Sequence, residues 1–219
     1  MQPRQLTVNG RHILLTRGYK RTTLKVKGSE ILVNAADNVS EQEIIDFILS
    51  KESWLQKHLN DPRKHASFQW QVGAEAYVLG ERYAVVLADG PSGVELRGDW
   101  LLISGPSDTA RKKAFRNFCQ QTLDQYLDHF HSLLNDEVGD YQLAYRFATG
   151  RWGSCFCNRR KIIMNLWCVA LPPEGIRYVY CHELAHLKVD NHSRQFYERL
   201  GQLWPQYKTG MKITKTYII

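Results

Sequence analysis

The stretch His182-Glu183-Leu184-Ala185-His186 constrains this chain more than any other. In an α-helix residues four apart share a face, so both imidazoles point the same way. Ile176, Val179, Tyr180, Leu184 and Leu187 define an apolar arc on the same segment. At about 100° per residue, Glu183 falls inside that arc. A carboxylate on a buried helical face is costly unless it is paired or used. The fold must therefore bury this helix and still leave its histidines open to something polar. Pro172-Pro173-Glu174 opens the helix, with proline where its missing N–H costs nothing, and Asp190-Asn191 ends it.

Alone, the pattern is a weak signal. With 8 His and 11 Glu among 219 residues, a chance match somewhere has a probability of about 0.014. Its chemistry is nevertheless specific. Two imidazoles on one rigid face suit a zinc ion, and Glu183 can flank the metal and act as a general base on a water. A catalytic zinc needs a third protein donor and an open position. His192 lies six residues beyond His186, past the helix stop, and Asp190 and Glu198 compete with it for that role.

Upstream, Gly150-Arg151-Trp152-Gly153-Ser154-Cys155 forms a turn that leads into a strand. This turn, the strand, Pro172-Pro173, and Cys181 to His186 through Asn191-His192-Ser193 resemble the YgjP-like metallopeptidase family, a zincin group similar to the SprT-like and WLM proteases. The resemblance is strong over about residues 140 to 205 and weaker over the N-terminal part. It implies one zinc ion held at His182, His186 and His192, with Glu183 as the base. It also implies a cleft beside the Trp152-to-Cys155 turn and an edge strand at about Lys161 to Trp167 that pairs with an extended substrate. Arg151, Trp152, Ser154 and Asn165 are the candidate substrate contacts, and Tyr145, Arg151 and Tyr178 the candidate oxyanion donors. Cys155 and Cys157 lack the second pair that a metal site of their own would need, and Cys181 is read as packing.

The rest of the chain alternates between strand and helix signals. Short β-like runs fill residues 5 to 34, and Ser40 caps a helix running to about His58, broken by Asp61-Pro62. Residues 68 to 104 read as a β-meander, and a long helix follows from about Asp108 to Glu137. Phe115, Phe118, Tyr126, Phe130 and Leu133 form its core stripe, and His129 and His131 are read as surface residues. Lys161 to Val169 reads as a strand, and Ser193 caps a last helix from Arg194 to Trp204. The expected class is α+β, a zincin-like catalytic domain with an N-terminal β-rich region and a mixed or antiparallel sheet packed on the 182–186 helix. The expected division is 1–105 for the β-rich part and 106–219 for the catalytic core, or one continuous domain.

Composition narrows the context. Hydrophobic residues make up 43% and charged residues 23%, which supports a packed core. No apolar run approaches the roughly 20 residues of a membrane span, and Met1 to Gln5 resembles no signal peptide. Five cysteines at irregular spacing fit a reducing cytoplasm. The net charge of +7 is spread out and reads as solvated surface, so nucleic acid is a possible partner that no motif supports. The leading expectation is a zinc hydrolase acting on peptide or protein. The alternatives are a zinc phosphohydrolase acting on nucleotides and a DNA-associated protein with a structural zinc. The sequence leaves the oligomeric state open.

Overall fold

Period-two alternation sets the faces of the first strands. In β1 (Arg4–Val8) Leu6 and Val8 are buried, and in β2 (Arg11–Thr16) Ile13 and Leu15 are. Asn9 and Gly10 join them at φ of 51° and 74°, the left-handed pair that a two-residue hairpin turn requires. β3 (Thr23–Lys27) and β4 (Glu30–Asn34) complete a sheet ordered β1-β2-β4-β3. Its central pair, β2 and β4, is parallel and its outer pairs are antiparallel. α1 (Glu41–Ser50) begins with a capping box in which Ser40 Oγ accepts from the Glu43 amide at 3.2 Å and the Glu43 carboxylate accepts from the Ser40 amide at 2.8 Å. The single helix expected to about His58 is two. Ser50 Oγ donates to the Phe47 carbonyl at 2.7 Å where α1 ends, and α2 (Glu52–Leu59) restarts after Lys51. Ile44, Ile48 and Leu55 complete the core of this part.

This computed structural model describes residues 3–27, 30–59 and 63–219, so the expected stop at Asp61-Pro62 lies outside the described residues. The chain groups into two compact units, Met1–Pro62 and Arg63–Ile219.

The second unit starts at β5 (Lys64–His65) and continues through β6 (Glu75–Val78), β7 (Glu81–Ala88), β8 (Gly93–Arg97) and β9 (Trp100–Ser104). A meander would pair these neighbours in turn. Instead β7 lies parallel to β9, and β8 occupies the far edge, in the order β6-β7-β9-β8. The β6–β7 turn is Leu79-Gly80, at φ of 51° and 89°. A leucine in this region is unusual. The turn is held from outside, because the two amides donate to the Val169 and Ala170 carbonyls at 2.7 and 3.2 Å.

α3 (Asp108–Val138) follows, and Ser107 Oγ accepts from the Ala110 amide. It buries Phe115, Cys119, Leu123 and Leu127, each four residues from the next, while Phe118, Tyr126 and Phe130 pack partly buried beside them. The side chains of Leu133 and His129 lie outside the described residues. His131 is not a free surface residue, since its Nδ1 lies 2.6 Å from Tyr141 Oη and 3.2 Å from Tyr180 Oη.

β10 (Gln142–Arg146), β11 (Gly153–Phe156) and β12 (Lys161–Asn165) form a sheet ordered β10-β12-β11. The strand expected at an edge is therefore central, with β10 parallel on one side and β11 antiparallel on the other. β12 also ends earlier than expected. The Asn165 side chain accepts from the Trp167 amide at 3.1 Å and turns the chain into a 3₁₀ segment, Leu166–Ala170.

α4 (Pro173–His186), α5 (Arg194–Leu203) and α6 (Tyr207–Thr214) complete the unit, and β13 (Tyr217–Ile218) returns to pair with β5. Ser193 stands at the start of α5 without a side-chain cap. α6 carries no strong start signal in the sequence. The class is α+β. The expected boundary near residue 105 falls within one continuous core, because Val85, Leu101 and Ile103 of the β6–β9 sheet share it with Phe115 and Leu123 of α3 and with Ile162 and Leu184. No described helix is long and apolar enough to cross a membrane.

Candidate metal centre

α4 is shaped by proline at its start and a buried face along its length. Ile176, Val179, Tyr180 and Leu184 are all nearly inaccessible. His182 and His186 stand one turn apart on the flank of that face, each partly buried. Past α4 the chain turns at Leu187 to Asp190, and Asn191 Oδ1 accepts from the Ser193 amide at 3.2 Å. That side-chain turn brings His192 back over α4. Its Nε2 lies 3.0 Å from His182 Nε2 and 3.2 Å from His186 Nε2. Among the described residues, this is the one group of three or more His, Cys, Asp or Glu side chains that could hold a metal ion, with its donor atoms all within 4.8 Å of one another.

One tautomer follows from the backbone. His186 Nδ1 lies 2.9 Å from the Val189 carbonyl, which can only accept. The proton therefore sits on Nδ1 and leaves a lone pair on Nε2, facing the other rings. Beneath the three rings lies Phe196 of α5, fully buried, with ring centroids 4.9, 4.5 and 4.8 Å from those of His182, His186 and His192. Its place four residues after His192 is the only sequence signal for it. Burial and the neighbouring histidines push His182 down to about 4, and burial lowers His186 as well. Both rings are neutral at pH 7, the form that ligates a metal.

Glu183 is only 6% exposed. Burial pushes its carboxyl up to about 7, and the Arg151 guanidinium acts in the opposite direction. It packs directly on β11: a Cβ at Gly153 would stand 2.5 Å from Glu183 Oε1 and 2.7 Å from Cγ. No side chain larger than hydrogen fits there without moving the carboxylate.

The upstream residues divide by role. Arg151 and Gly153 line both the opening over the three histidines and an adjoining cavity of about 500 Å³. Trp152 lines the cavity, and its carbonyl accepts from the Asn165 amide at 2.9 Å. Ser154 lines the opening, with its hydroxyl donating to the Gly153 carbonyl at 2.8 Å. Asn165 lines neither. It is 2% exposed, and its amide group bonds the Ala148 amide and carbonyl, the Arg151 carbonyl and the Trp167 amide. It ties down the loop that carries Arg151.

The competing donors also separate. Asp190 lines the opening outside the histidine group, and Glu198 is bonded to Arg194 Nε at 2.7 Å. Tyr145 Oη donates to Asp124 at 2.5 Å, which removes it as an oxyanion donor. Tyr178 stays in place, its Oη 3.4 Å from His182 Nδ1. Cys155 and Cys157 bring their sulfurs to 3.8 Å, and the Cys157 thiol reaches the His186 carbonyl at 3.0 Å. Cys181 is buried, and burial raises its thiol to about 12.

Comparison with known proteins gives one family. The model of the YgjP-like metallopeptidase domain matches residues 20–217. Among solved structures, the chain is similar to the crystal structure of the metallopeptidase zymogen of Pyrococcus abyssi abylysin, at 20% identity and a TM-score of 0.36, over 44% of this chain and 99% of that one. No curated protein matches.

Proposed function

This chain belongs to the YgjP-like metallopeptidase family, and on that premise we propose that it is a zinc-dependent peptidase in which His182, His186 and His192 hold one zinc ion and Glu183 is the general base. The observation that carries this reading is the convergence of three imidazole nitrogens within 3.0 to 3.2 Å of a neighbour, beside a nearly buried glutamate. The donor set fits zinc. It consists of three imidazole nitrogens, with His186 held in the ligating tautomer by the Val189 carbonyl. Three protein donors leave a position for substrate, whereas a purely structural site would be closed by four.

Bound there, zinc would supply Lewis acidity, polarising a carbonyl and making a water more acidic. Glu183 takes the proton of the attacking water and delivers it to the departing amine nitrogen. Its packing on Gly153 holds the carboxylate beside the histidine face. Tyr178 and Arg151 stand at the edge of the site, where each can donate to a developing oxyanion.

The substrate main chain would lie along β11, the free edge beside Glu183, in place of the strand expected from sequence. The Asn165 amide bonds the Trp152 carbonyl, so in an antiparallel pair Ser154 and Phe156 also face β12. The amide and carbonyl of Cys155 therefore point away from the sheet, free for an extended peptide, which makes recognition of the main chain nearly blind to sequence. A reducing compartment such as the cytoplasm suits five cysteines that form no disulfide.

Two variants test this. Glu183→Gln should keep about one zinc per chain by elemental analysis and lose cleavage of an unfolded protein substrate. His186→Ala should lose the zinc itself. Undiminished cleavage by Glu183→Gln would sink the assignment, and phosphate release from nucleotides without peptide cleavage would move it to phosphohydrolysis.

A further inference from the structure

The cavity of about 500 Å³ beside Glu183 has walls of two kinds. Trp152, Tyr178 and Met211 supply aromatic and apolar surface. Arg151 and Lys215 supply exposed positive charge. They come from different elements, Arg151 from the loop before β11 and Lys215 from the residue that ends α6. Both backbones are held. The Arg151 carbonyl accepts from Asn165 Nδ2 at 2.8 Å, and the Lys215 amide donates to the Lys212 carbonyl at 3.2 Å. Among the described residues, neither cation is in a salt bridge. The only carboxyl on the lining is Glu183.

We propose that this cavity is a substrate subsite for a carboxylate, held between Arg151 and Lys215 next to the bond to be cleaved. The proposal rests on the peptidase reading above. The physical case is charge complementarity at a half-open cavity. Two cations outside any described salt bridge, on the rim of one cavity, attract an anion more strongly together than either does alone. The same pair repels a lysine or arginine, so the subsite selects in both directions. Two sources of the group share this chemistry, the free α-carboxylate at the end of a peptide and the side chain of an internal Asp or Glu. The first would make the enzyme trim chain ends, and the second would make it cut beside acidic residues.

Turnover distinguishes the sources. Zinc-loaded full-length protein is given one peptide as its C-terminal acid and as its amide, and a second, amidated peptide with Asp or with Asn at one position. In the pair that uses the subsite, kcat/KM should favour the carboxylate about tenfold, the size of one charge-assisted contact. Lys215→Glu should bring that ratio to one or below, and Lys215→Arg should preserve it. Binding tests the subsite without turnover. Metal-free protein is titrated calorimetrically with N-acetylphenylalanine and its amide, and with acetylated, amidated aspartate and asparagine. Removing the metal ensures that no carboxylate–zinc bond contributes. Tighter binding of a carboxylate form that is lost in Lys215→Glu supports the subsite. If that preference occurs while no peptide is cleaved, the subsite stands and the peptidase reading falls. Equal kcat/KM within both peptide pairs, together with equal binding of acid and neutral forms, would overturn the subsite.

Discussion

Glu183 and His182 are adjacent in the chain and burial drives them in opposite directions. Glu183 titrates near 4.5 when exposed and near 7 in the fold. Between those values the folded chain holds a proton that the unfolded chain has released, so stability falls as pH rises through the window and stays lower above it. Metal-free Glu183→Gln should thus be more stable than the parent at pH 8 by on the order of 3 kcal/mol, with the difference gone at pH 4. Urea denaturation at the two pH values measures this; equal stabilities at pH 8 would show that the buried carboxylate carries no such cost. His182 behaves the other way. Its folded value near 4 lies below the ordinary 6.5, so the unfolded chain binds a proton first and stability is lost as pH falls through that range. At this scale the sequence is legible where a role depends on near neighbours. The placing of His182, Glu183 and His186 needs only helix geometry. His131 and Tyr145 are legible only from their distant partners, Tyr180 and Asp124.

Between elements, the contact that matters most is α4 against β11. A Cβ at Gly153 would fall within van der Waals overlap of three Glu183 atoms, at 2.5, 2.7 and 2.8 Å. Gly153→Ala must displace the carboxylate or the strand. A base moved by about 1 Å can lose on the order of 100-fold in rate. The carboxylate, at the end of a flexible side chain, gives way before the paired strand does, so the expected result is zinc content unchanged, kcat reduced by about that factor and KM little altered, with the histidines and the Cys155 edge left in place. Steady-state kinetics with zinc analysis checks it, and full activity in Gly153→Ala would show that the carboxylate position is uncritical. The role of β12 as the central strand could not be read locally. Its apolar run, Ile162 to Met164, fits an edge or a central strand equally well. The neighbour that decides it, β10, lies some 20 residues earlier in the chain.

On the scale of the whole molecule, the described residues form two separate apolar cores. The four-stranded sheet of each unit repeats one arrangement, a parallel central pair flanked by antiparallel strands, with a left-handed two-residue turn joining the first two strands. The similarity lies in topology and not in any sequence repeat, since Asn9-Gly10 and Leu79-Gly80 reach one turn geometry with different residues. Separate cores predict separate melting. Calorimetry should resolve two transitions; zinc should raise one of them, and Ile13→Ala, which empties a fully buried position in the first core, should lower the other at a cost of about 2–5 kcal/mol. A single transition shifted by both changes would mean that the units unfold as one.

By itself, the sequence determined whatever depends on spacing of a few residues: the helix that pairs His182 with His186, the glutamate inside its apolar arc, the capped start of α1 and the long α3. It determined the family too, through motifs that are each local. Only the tertiary structure decided which strand offers a free edge, that Asn165 is buried and bonded to the loop before β11, that Phe196 lies beneath the three rings, and that Arg151 and Lys215 line one cavity. Helical periodicity is written within a turn or two of the chain. The other features are contacts between elements far apart in sequence, and their partners are chosen by packing.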